Sequence, residues 1–99
     1  MLVLVCYDVS TKDEGGAKRL RRVAKCCLDF GQRVQNSVFE CEVPPAKWHE
    51  LRHRLLSEFD ASTDSLRFYF LGSGQRRKNA VEHHGQKPSL DLLDDPLIV

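Results

Sequence analysis

Long apolar runs are missing from this 99-residue chain, and so are internal repeats, linkers and low-complexity tracts. A bilayer-spanning helix needs about 20 consecutive apolar residues, so no membrane span is expected. The opening MLVLVCY has no basic stretch ahead of its apolar residues and meets Asp8 at once. A secretory signal has the opposite order, and a cytoplasmic protein is expected. No Cys-x-x-Cys spacing occurs among the four cysteines. That excludes the usual zinc ribbons and dithiol redox motifs. The expectation is small buried thiols in a reducing compartment. Net charge is only +1, which by itself points to no class of partner.

The distribution of charge says more. Lys18 to Arg33 holds six basic residues and one acid, while Asp91 to Val99 holds three acids and no base. One face is suited to phosphates, and the tail to a basic partner. Hydrophobic content of 41% and charged content of 29% describe a folded domain. A single domain over 1–99 is expected, with 86–99 as a tail for dimer or partner contacts.

Residues 2–9 read as a strand with apolar side chains on both faces, as in a central strand covered on both sides. Thr11 and Glu14 have capping-box spacing before a helix. In that helix Ala17, Leu20, Val23, Ala24, Cys27 and Leu28 make an apolar stripe, and Gly31 is read as its stop signal. Residues 32–43, QRVQNSVFECEV, read as strand, turn near Asn36-Ser37, and strand. Pro45 suits the first turn of a second helix, with Trp48, Leu51, Leu55 and Phe59 inward. A polar turn at 60–65 leads to the strand LRFYFLG, then to a basic loop, GSGQRRKN. A short fifth strand is expected at 80–83.

This order, β-α-β-β-α-β plus an extension, is the α+β, ferredoxin-like sandwich with an additional C-terminal strand. Its helices cover one face of the sheet only. An apolar second face is most simply covered by another copy of the same sheet, so a homodimer packed sheet to sheet is expected.

Asp8 stands at the mouth of the first strand, where a scaffold holds functional groups rigidly. A plain turn role is the alternative. In a two-fold dimer Asp8 approaches its symmetry mate, and two close carboxylates require a proton or a cation between them. Mg²⁺, or Mn²⁺, would suit such a site. An ion held there activates water and polarises a phosphodiester.

Together LVLVCYDVS, GGAKRLRRVAKCCLDFG, QRVQNSVFECEV, SLRFYFLG and KPSLDLLDDPLIV cover nearly the whole chain. The chain so resembles the second CRISPR-associated protein family, small endonucleases that join an integrase in spacer acquisition. The basic first helix and the DDPLIV ending look most like its subtype I-C branch. The resemblance implies a ferredoxin-like homodimer, Asp8 as metal-binding carboxylate, metal-dependent cleavage of DNA or RNA, and partnership with the CRISPR integrase. It also implies an alternative, a non-catalytic dimeric adaptor that holds a DNA duplex for the integrase. Arg19, Arg21 and Arg22 match the family's basic first helix. Arg33, Gln35, Asn36 and Ser37 match its second-strand motif, and Phe39 its aromatic position.

Arginines position a duplex through its phosphates without reading sequence. Arg76 and Arg77, in the glycine-flanked loop, are a candidate phosphate clamp. His49-Glu50-Leu51-Arg52-His53 fits the H-E-x-x-H zinc pattern, but no third ligand motif accompanies it. Adjacent His83 and His84 would point to opposite faces of a strand and chelate poorly together.

Overall fold

The computed structural model describes residues 1–10, 14–71 and 81–86. Seven elements follow one another: β1 (Leu2–Asp8), α1 (Gly16–Leu28), β2 (Gly31–Gln35), β3 (Val38–Glu42), α2 (Pro45–Glu58), β4 (Ser65–Phe70) and β5 (Val81–Gly85). They form one five-stranded sheet in the order β2-β3-β1-β4-β5, with every neighbouring pair antiparallel. The expected ferredoxin-like order is borne out. Thr11, the GSGQRRKN segment at 72–79 with Arg76 and Arg77, and the acidic residues Asp91, Asp94 and Asp95 lie outside the described residues.

Period-two alternation decides which side of β1 faces the helices. Val3, Val5 and Tyr7 are buried, whereas Leu2, Leu4 and Cys6 on the opposite face are only partly covered. Register carries the inward set across the sheet: Val5 lies opposite Phe39 on β3 and Phe68 on β4. From α2, Trp48 meets Phe68 edge-on at 4.9 Å and Phe70 at 5.5 Å. Edge-to-face geometry is the favoured arrangement for aromatic pairs. Leu51 and Leu55 complete the inward stripe, and Phe59 packs partly buried beside them.

The stripe of α1 differs from the expected one. Val23, Ala24, Cys26 and Cys27 are buried, but Ala17 is exposed and Leu28 is 48% exposed. The buried arc is turned toward Cys26, and the chain leaves the helix at Asp29 so that Phe30 closes that end of the core. Gly31 is not the helix stop; it opens β2. All four cysteines are free thiols, three of them buried. The Cys27 thiol is pushed up chiefly by its contact with Cys41, and further by burial. Such thiols are poor nucleophiles. Among the described residues no helix is long and apolar enough to cross a membrane.

Candidate functional site

Of the candidate residues, Asp8, Asn36 and Ser37 lie together at the C-terminal end of β1. Asp8, the last residue of the strand, is exposed and lies in register with Ser65 at the start of β4. On its other flank is the β2–β3 turn, Asn36-Ser37, tied to β1 by Tyr7 N–H donating to the Ser37 carbonyl at 2.9 Å. The turn is thus a wall of the mouth, which places the candidate nucleic-acid-binding residues Asn36 and Ser37 beside the end of β1. Gly16 opens α1 against the same edge. A Cβ there would stand 2.3 Å from the Ser10 carbonyl oxygen, so the close approach of helix and strand end requires glycine.

Next to Ser65, the strand partner of Asp8, is a carboxylate that the sequence did not single out. Asp64 is fully buried. It accepts from Tyr7 Oη, from Arg19 Nε at 2.8 Å and Nη2 at 3.1 Å, and from Ser10 N–H at 3.0 Å. Thr63 Oγ1 adds a bond at 3.1 Å and the Asp60 N–H one at 3.3 Å. A buried charge persists only when it is paired and hydrogen-bonded, and this set of donors meets that demand. Burial pushes the Asp64 carboxyl up, but Arg19, Tyr7, Ser10 and Asp60 together outweigh it and hold it well below the usual carboxylate range. The Tyr7 hydroxyl is pushed the other way, first by burial and then by its bond to Asp64. Only an acid directly ahead of an apolar strand, in STDSLRF, hinted at this residue.

The arginines separate into two kinds. Arg19 turns inward to Asp64, its side chain only 13% exposed, so most of its donor fork is spent inside the protein. Arg21 and Arg22 are exposed on α1, as are Lys18 and Lys25. Their spacing of three and four residues places them on neighbouring turns of one helix surface. Arg33, on β2, is exposed and holds its guanidinium 5.1 Å from the centroid of the Phe39 ring, a cation–π contact. Phe39 itself is core. Arg76 and Arg77 lie outside the described residues.

The histidines assemble no metal centre in the described chain. His49 and His53 are both exposed on α2. His84 bonds Glu82 at 2.6 Å, and Glu82 also binds Arg52 of α2 at 2.6 Å. His83 lies across the sheet from Arg67, whose Nη2 is 3.2 Å from Nδ1. The two rings therefore occupy opposite faces, as strand geometry requires. Among the described residues no group of three or more His, Cys, Asp or Glu side chains is placed to hold a metal ion. Among the described residues Asp64 is engaged by Arg19, and Asp8 is the exposed carboxylate at the end of β1. That donor set fits a hard cation only if water, a phosphate or a second chain supplies the remaining oxygens, as Mg²⁺ sites commonly do.

Comparison with known proteins adds an independent line. Residues 1–79 match the family model described as CRISPR associated protein Cas2. A CRISPR-associated endoribonuclease Cas2 from Nitratidesulfovibrio vulgaris is 61% identical over 99 residues, covering 100% of this chain and 94% of that protein. A CRISPR-associated endonuclease Cas2 from Halalkalibacterium halodurans is 56% identical over 98 residues, covering 99% of each. The crystal structure of Streptococcus pyogenes Cas2 superposes with a TM-score of 0.69 at 58% identity, over 79% of this chain and 94% of that one.

Proposed function

The chain belongs to the Cas2 family of CRISPR-associated proteins, and from that membership we propose that it is a metal-dependent endonuclease of CRISPR spacer acquisition. The observation that carries the chemistry is Asp8, exposed at the end of the central strand in a mouth built from three other segments. In this reading two copies pack through the sheet face that bears Leu2, Leu4 and Cys6, and each contributes its Asp8 to one Mg²⁺ or Mn²⁺. Part-exposed apolar side chains on that face support the dimer, since leaving them in water forgoes about 25 cal/mol for each Å² of apolar surface. A bound divalent ion supplies Lewis acidity to the phosphodiester and a more acidic water. Asp8 holds the ion; the rigid strand fixes where the phosphate must lie.

The substrate is a nucleic acid held by its backbone. Relatives carry the names endoribonuclease and endonuclease, and the exposed arginines discriminate neither sugar nor base. Arg21 and Arg22 on α1, Arg33 on β2 and Arg76 and Arg77 in the loop are assigned to phosphates. Arg19 is assigned to shaping the mouth, because of its pairing with Asp64. Charge reversal of both Arg21 and Arg22 is expected to leave the fold intact, since both are exposed. It should flatten the dependence of log affinity on log salt by about 2. Fluorescence anisotropy with a labelled duplex over a salt series checks this; an unchanged slope removes α1 from the interface.

One observation favours the adaptor reading. Among the described residues no cluster of three or more metal-ligating side chains accompanies Asp8, which is sparse for a nuclease, and a dimer could hold DNA for the integrase without cutting it. The acidic segment Asp91 to Val99 is assigned to integrase binding, and its deletion should weaken the complex in a pull-down with purified integrase. Unchanged affinity takes the tail out of that role. The deciding experiment between enzyme and adaptor is cleavage of labelled DNA and RNA with Mg²⁺, Mn²⁺ or EDTA. Metal-dependent cutting supports the enzyme, and its absence under all conditions leaves the adaptor.

A further inference from the structure

We propose that Asp64 is the positioning residue for Asp8, a claim that rests on the reading of Asp8 as the ion ligand. Asp8 is bracketed by two donors to one carboxylate. Tyr7, just before it, gives its hydroxyl to Asp64, and Ser10, two residues after it, gives its N–H. The neighbouring strand is fixed at the same place, because Ser65, opposite Asp8, directly follows Asp64. Arg19 then locks the carboxylate itself through two nitrogens, one to each oxygen.

The back of Asp64 is held as well. Its carbonyl accepts from Gln86 N–H at 3.0 Å. Gly85, at φ +101°, lies so close that a Cβ would stand 2.1 Å from that oxygen. Contacts to β1, α1, the 60–63 loop and the end of β5 thus converge on one residue. Stability alone does not require this arrangement, because well-packed apolar residues commonly replace a buried ion pair at no net loss. What an apolar substitute would lose is the aim of the 7–10 segment. An ion ligand must be held within about 0.5 Å of its working position, and partners that orient a ligand contribute about 10- to 100-fold to metal affinity.

Tyr7→Phe and Asp64→Asn test the claim. Tyr7→Phe removes one hydroxyl and keeps the ring in the core, so it remains folded even if Asp64→Asn does not. The probes are Mn²⁺ binding followed by electron paramagnetic resonance, hydrogen exchange at the Asp8 and Val9 amides, and kcat and KM for cleavage. In Tyr7→Phe, Mn²⁺ is expected to bind about 10- to 100-fold more weakly. The two amides should exchange faster, and kcat should fall with KM unchanged. Wild-type Mn²⁺ affinity and wild-type exchange in Tyr7→Phe overturn the proposal, while wild-type protein that does bind Mn²⁺ keeps the reading of Asp8. A wild type that binds no Mn²⁺ overturns that reading first, and the positioning claim with it.

Discussion

Replacing Asp8 with Asn is expected to lower the proposed metal-dependent cleavage by about three orders of magnitude while leaving the fold and the proposed dimer intact. The size follows from the ion's contribution. Lewis-acid stabilisation of a phosphoryl transition state amounts to several kcal/mol, and each 1.36 kcal/mol is about tenfold in rate. Asn keeps the shape of Asp but gives the ion a neutral oxygen in place of a charged one. In the proposed dimer, where two copies share an ion, both ligands are weakened together. The fold is expected to survive because Asp8 is exposed and the mouth is tied together by Asp64. Equal cleavage by variant and wild type would make Asp8 a turn residue.

Replacing Asp64 with Ala is expected to give the largest loss of stability, about 3–5 kcal/mol, the usual cost of removing one partner from a buried ion pair. Arg19 would be left without its carboxylate, and the Tyr7 hydroxyl and Ser10 N–H without their acceptor. In a domain of this size 1 kcal/mol moves the melting temperature by about 4–8 °C, so the shift is readily measured by thermal denaturation. The same carboxylate sets a pH dependence. Its folded-state pKa is held below the ordinary value, so its contribution is fully present above about pH 4 and is lost as pH falls through the folded value. The stability gap between wild type and Asp64→Asn should therefore be widest near neutrality and narrow in acid. A gap that stays constant with pH would mean the charge of Asp64 contributes nothing.

Much of this fold was legible in the sequence because period and punctuation agree. The alternation of β1 and β3, the Asn36-Ser37 turn and Pro45 at the start of α2 all specify local geometry. The position of Asp8 at the end of β1 was legible as well, since a carboxylate closing an apolar strand is a local pattern. The failures share another cause. Asp64 looked like one polar residue in a polar turn, because its partners Tyr7 and Arg19 are 57 and 45 residues away in sequence. Arg19 looked like its neighbours Arg21 and Arg22, since charge gives no indication of which arginine has a buried partner. Leu28 and Cys26 exchanged roles at the end of α1, where a helical stripe no longer decides burial once the chain turns away toward Phe30.

The most direct measurement is the stoichiometry of Mn²⁺ binding to purified wild type and Asp8→Asn, read by electron paramagnetic resonance beside a determination of oligomeric state. A shared ion predicts one Mn²⁺ for every two chains of a dimer, and none at the same concentrations in the variant. One Mn²⁺ per chain, or equal binding by both proteins, would contradict a site built from two Asp8 carboxylates.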